Sequence, residues 1–139
     1  KSTELENGPA IKDGAVREKI ADWYAKAQGL KYTRYRTVSA MSQGETPGPE
    51  NSITKVVSAS RLQDLTSFAM DLMDMGGIMV DADNVGYEAA FQEGYMWAPG
   101  IRIAGGTDEI LRNIIAERVL GMPQDVRVDK GVPFNEIPK

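Results

Sequence analysis

Apolar residues recur every three or four positions in long runs, and glycine or proline punctuates the runs so sharply that only a helical chain fits. From Asp13 onward the spacing of Val16, Ile20, Trp23, Tyr24, Ala27, Leu30, Val38 and Met41 predicts an amphipathic helix of roughly thirty residues. Asp13 is a suitable N-cap and Gly44 a suitable stop. Gly29 falls inside this helix at a cost of about 1 kcal/mol relative to Ala, which close helix packing would explain. Thr46-Pro47-Gly48-Pro49 is a break. A second helix is expected from about Glu50 to Met75, with Ile53, Val56, Val57, Leu62, Leu65, Phe68, Ala69, Leu72 and Met75 on its buried side.

Gly76-Gly77 should end that helix, followed by a loop over 78–84 and a shorter helix over 85–97 that Ala98-Pro99-Gly100 terminates. The last helix carries the fullest set of signals. Thr107 caps it, Asp108 and Glu109 suit its positive end, and Ile110, Leu111, Ile114, Ile115 and Val119 form its apolar stripe. Gly121 and Pro123 stop it. No segment alternates with the period of a strand. The expected fold is all-α, an up-down helical bundle over residues 13–123, with a disordered or extended lead-in over 1–12 and an extended tail over 124–139.

Composition narrows the chemistry. The chain has 139 residues, one domain's worth, with no cysteine and no histidine. Disulfides, thiol nucleophiles, Ser-His-Asp triads and most zinc chemistry are therefore excluded, and no metal site is expected. Catalysis would have to use carboxylates, Lys, Tyr or an organic cofactor. A net charge of −4 argues against nucleic acid as a partner. Charge is also uneven: residues 1–43 carry eight basic and five acidic groups, whereas residues 44–100 carry two and nine. Differently solvated helix faces are the plain explanation. No apolar stretch is long enough to span a membrane and no signal-peptide pattern opens the chain, so a cytoplasmic location is expected.

Two glycine pairs are the candidate binding features. At Gly105-Gly106-Thr107-Asp108-Glu109 a ligand could approach the backbone closely beside the unpaired N–H groups of a helix start. A capped helix after a flexible turn explains the same residues, and the two carboxylates oppose a free phosphate. Gly76-Gly77 reads either as a helix stop or as a place where backbone lies against a ligand. Ser52-Ile53-Thr54-Lys55 matches the S-x-x-K pattern of acyl-serine hydrolases, but S-D-N and K-T-G are absent, and Ser and Lys on a solvated helix face account for it. The aromatic set of Trp23, Tyr24, Tyr32, Tyr35, Tyr95 and Trp97 is spaced as packing material, and Asp81/Asp83 as a solvated loop. These residues alone make no complete active site.

The run from Ile103 to Pro123, I-A-G-G-T-D-E-I-L-R-N-I-I-A-E-R-V-L-G-M-P, closely resembles the last helix of the acyl-CoA dehydrogenases, most of all an actinobacterial branch. Tyr35-Arg36 through Gly44, Ser52 to Lys55, and Gly76-Gly77 extend the resemblance over about residues 13–123, most weakly between 78 and 98. It implies an FAD flavoprotein that removes a proton from Cα and a hydride from Cβ of an acyl-CoA thioester, giving a trans-2-enoyl-CoA. By resemblance, Gly106, Thr107 and Glu109 contact FAD, and Ala104 and Gly105 lie beside the flavin and the thioester. Gly76 and Gly77 match the loop that meets the FAD of a neighbouring subunit.

Two departures matter. Many family members carry the catalytic Glu where Gly105 stands; others place it on the domain's first helix, which has no counterpart here. No residue of this chain is therefore expected to be the catalytic base. The chain also begins at Lys1 rather than Met and lacks the family's upstream domains, so it is expected to be the C-terminal piece of a longer enzyme, silent on its own. Expected partners are the acyl-CoA substrate, an electron-transfer flavoprotein or similar acceptor, and further subunits in a homo- or hetero-oligomer. Two other readings stay open: a non-catalytic subunit of a heteromeric dehydrogenase, and a cofactor-free helical interaction module.

Overall fold

The computed structural model describes residues 3–124 and 126–137. Four α-helices dominate: α1 (Gly14–Ser42), α2 (Asn51–Leu72), α3 (Ala90–Ile103) and α4 (Asp108–Ile114). The arrangement is all-α and centred on α2, against which α1, α3 and α4 all pack. Asp13 caps α1 as expected, its Oδ1 accepting from the amides of Ala15 at 2.9 Å and Val16 at 3.0 Å. Gly44, with φ of +84°, takes the left-handed position just past the helix.

Several expectations are corrected. Residues 4–12 are not a plain lead-in: β1 (Glu4–Leu5) pairs antiparallel with β2 (Gly8–Pro9), and a 3-10 turn at Ala10–Lys12 buries Ala10. Lys1 and Ser2 lie outside the described residues. Gly29 is not a packing glycine, because a Cβ there would meet nothing within 4 Å. The close approach occurs at Gly94 of α3, where a Cβ would stand 2.8 Å from Thr66 Cγ2 of α2.

The third helix sits further along the chain than the 85–97 expected. Tyr87, Glu88 and Ala89 form a left-handed turn, with φ of 61°, 54° and 58°, and α3 then runs through Pro99 to Ile103. Proline removes one helical hydrogen bond, but the next-door Ala98 is wholly buried (0 % exposed) and α3 packs along α2, so tertiary contact overrides the break. The last helix keeps its Thr107 cap but loosens after Ile114 into a π turn over Ile115–Val119, and Gly121 (φ +68°) ends it. The tail holds a 3-10 turn at Phe134–Glu136 rather than being extended throughout; Asp125, Pro138 and Lys139 lie outside the described residues.

The core is thin. Among the described residues its buried apolar members are Ala10, Val16, Ala59, Ala89, Ala98 and Leu111, and no large side chain is fully enclosed. Trp23 and Phe68 meet edge-on at 5.4 Å between α1 and α2. Tyr24, Tyr32, Tyr35, Tyr95 and Trp97, expected as packing material, stand exposed on this chain, Tyr24 at 66 % and Trp97 at 64 %. The accessible surface is 10461 Å², where a compact 15.2 kDa monomer would show roughly 7,100 Å².

Candidate functional site

The turn between α3 and α4 gathers most of the singled-out residues. Ala104 and Gly105 are exposed, Gly106 and Thr107 half-buried, Asp108 buried and Glu109 exposed. Gly105 and Gly106 have φ of +68° and +107°, a conformation that L side chains rarely adopt, which is why glycine occupies both. Thr107 Oγ1 accepts the amide of Ile110 at 3.3 Å. Glu109 is held below the ordinary carboxylate range first by its own backbone amide and then by the Thr107 hydroxyl. A hollow of about 260 Å³ opens beside this turn, with Gln63, Arg102, Thr107, Asp108 and Glu109 among its walls.

Beneath the turn lies a charged frame. Lys55 on α2 is not on a solvated face: its ammonium donates to the carbonyls of Arg102 at 2.7 Å and Gly106 at 2.6 Å. Arg102, in the last turn of α3, donates from Nε to Asp108 Oδ2 at 2.7 Å and from Nη1 to Gln63 Oε1 at 2.9 Å. Asp108 is 3 % exposed, and its Oδ1 has no hydrogen-bond partner; Lys55 Nζ stands 3.6 Å from it. The Arg102 hydrogen bond, working against burial, holds the Asp108 carboxyl below the usual range. Three elements, α2, α3 and α4, thus meet through one carboxylate and two cations.

Sequence reasoning found the turn and missed the frame. The available signal was Lys55 itself, one of two basic residues between 44 and 100, set among the apolar Ile53, Val56 and Val57. A cation in that position needs buried acceptors.

Gly76 and Gly77 lie elsewhere. They follow the end of α2, roughly 25 Å beyond Lys55 at 1.5 Å per helical residue. Gly76 O accepts from Gln92 Nε2 of α3 at 3.2 Å, and a Cβ on the buried Gly77 would run into the Met70 carbonyl. The second glycine is thus explained by the α2 backbone itself. The two glycine pairs do not share one pocket within this chain. Asp81 and Asp83 form an exposed turn, Asp83 N donating to Asp81 Oδ1 at 3.1 Å. Among the described residues no helix is long and apolar enough to cross a membrane.

Comparison with known proteins agrees with this architecture. The family described as acyl-CoA dehydrogenase, C-terminal domain, matches residues 1–120. Acyl-CoA dehydrogenase IpdE1 of Mycolicibacterium smegmatis is 32% identical over 118 residues, which cover 85% of this chain and 28% of that protein. Acyl-CoA dehydrogenase FadE34 of Mycobacterium tuberculosis is 31% identical over 112 residues, covering 81% of this chain and 15% of that protein. The chain therefore spans less than a third of the length of these relatives. Among solved structures, the ChsE4-ChsE5 complex from Mycobacterium tuberculosis superimposes with a TM-score of 0.73 at 22% identity, over 88% of this chain and 32% of that one. That likeness concerns the fold.

Proposed function

The chain belongs to the acyl-CoA dehydrogenase family as its C-terminal domain, and on that premise we propose that it is the C-terminal part of an FAD-dependent enzyme that oxidises an acyl-CoA thioester to the trans-2-enoyl-CoA. The observation that carries the proposal is the family match over residues 1–120, which takes in the whole turn from Ala104 to Glu109. When bound, FAD supplies the hydride acceptor for the α,β-dehydrogenation. The turn fits such a group: its two left-handed glycines keep side chains away from the approach, and a hollow opens beside them.

In this reading Gly106, Thr107 and Glu109 hold the flavin nucleotide, with Glu109 accepting from its donor groups rather than facing a phosphate. Ala104 and Gly105 leave room for the thioester. Gly76 and Gly77, at the far end of α2, serve the flavin of a neighbouring subunit, which their separation from the turn favours. No carboxylate of this chain takes the α-proton; the base belongs to a segment outside it. The exposed apolar surface of α1 and α3 is the interface with the remaining domains and subunits. Electrons pass on to an electron-transfer flavoprotein or a similar acceptor, and the enzyme works in the cytoplasm.

A second reading, a non-catalytic subunit of a heteromeric dehydrogenase, is favoured by Gly105, which stands where many relatives carry the base. Purifying the full-length protein separates the two. The proposal expects copurifying FAD and acyl-CoA oxidation by that protein alone; the alternative expects activity only with a co-expressed paralogue. Thr107→Trp in the full-length protein should abolish flavin uptake with the helical circular dichroism unchanged. Unaltered FAD affinity in that variant removes Thr107 from the site.

A further inference from the structure

Resting on the reading of the 104–109 turn as one rim of a flavin site, we propose that Lys55 is the positioning residue of that rim, a cation on a neighbouring helix that fixes the glycine turn from below. Two adjacent glycines are the freest backbone a chain can contain, and a site built on them is only as well formed as whatever holds them. Here the restraint is specific. An ammonium has three donors and no acceptor. Lys55 commits one to the Arg102 carbonyl at 2.7 Å and one to the Gly106 carbonyl at 2.6 Å, gripping the chain on either side of Ala104 and Gly105.

Lys55 Nζ also stands 3.6 Å from Asp108 Oδ1, a buried oxygen with no hydrogen-bond partner. Arg102 completes the frame from the opposite side, tying Asp108 to Gln63 of α2. Lys55 itself touches neither flavin nor thioester in this account; it acts through the turn. Its place in S-x-x-K thus has a role unrelated to acyl-serine chemistry, since its donors are committed to backbone carbonyls rather than to Ser52.

The test is Lys55→Met in the full-length protein, which keeps an unbranched side chain one atom shorter and removes all three donors. Hydrogen exchange should quicken about tenfold or more at the bonded amides that flank the turn, Ala104, Ile110 and Leu111, while exchange within α1 stays unchanged. The FAD dissociation constant should rise by at least about tenfold. Lys55→Arg, which restores a cation with several donors, should recover part of both effects. Lys55→Leu, which also removes every donor, carries the same test if the Met variant does not fold.

Unchanged exchange at Ala104, Ile110 and Leu111 overturns the proposal. So does a loosened turn with wild-type FAD affinity, because Lys55 is then structural only. Wild-type protein that binds no FAD instead refutes the proposed function, and the exchange measurement alone then decides whether Lys55 holds the turn.

Discussion

Asp108 shows how one side chain can bind three helices together. Its carboxylate is buried, bonded to Arg102 and 3.6 Å from Lys55, so the two cations favour the anion against the cost of burial. Because its folded pKa is lowered, the stability it contributes is fully present above the ordinary aspartate range near about 3.9, and is lost as pH falls through the lowered folded value. Asp108→Asn should therefore destabilise the protein by about 2–3 kcal/mol at neutral pH and flatten the acid limb of its stability profile. Urea unfolding at a series of pH values checks both; an unchanged acid limb would show that other carboxylates dominate it. Thr107→Ala removes a helix cap and should cost about 1 kcal/mol in the same assay.

Among the elements, α2 is the organiser, and its contacts with α3 define what the sequence could and could not reveal. Helix α2, which has no side-chain cap, was legible from its apolar spacing after the break at 46–49; α1 and α4 were legible because their caps and stops are local: Asp13, Gly44, Thr107 and Gly121 each act on the backbone beside them. The bounds of α3 were not, since Pro99 and the three left-handed residues before Ala90 are overruled or imposed by packing that no local pattern encodes. The turn at 104–109 was legible through its glycines and its resemblance, whereas its frame joins residues 39 to 51 positions apart and leaves no periodic trace.

Two of the helical glycines, Gly94 and Gly29, give a matched pair of tests. Gly94→Ala forces a Cβ to 2.8 Å from Thr66 and should destabilise by about 1–3 kcal/mol. Gly29→Ala meets open space and should stabilise by about 0.5–1 kcal/mol. Thermal unfolding of both variants reads the contrast directly, and equal effects would contradict the α2–α3 contact.

On the scale of the whole molecule, the thin core and the excess surface point the same way. A chain of this size exposing 10461 Å², with Tyr24, Tyr32, Tyr35 and Trp97 uncovered, has apolar area to place against something else. The chain also spans only 28% and 15% of the length of two relatives it matches. The composition fits as well: dehydrogenation with a flavin needs neither the histidine nor the cysteine that this chain lacks.

Under the proposed function this chain completes a flavin site acting on acyl-CoA thioesters. Anaerobic titration of the purified full-length protein with a series of acyl-CoA thioesters tests it most directly. A yellow protein is expected, its flavin absorbance bleaching as at least one of those thioesters is converted to its 2-enoyl product. A protein that purifies without FAD and takes none up when it is supplied would contradict it.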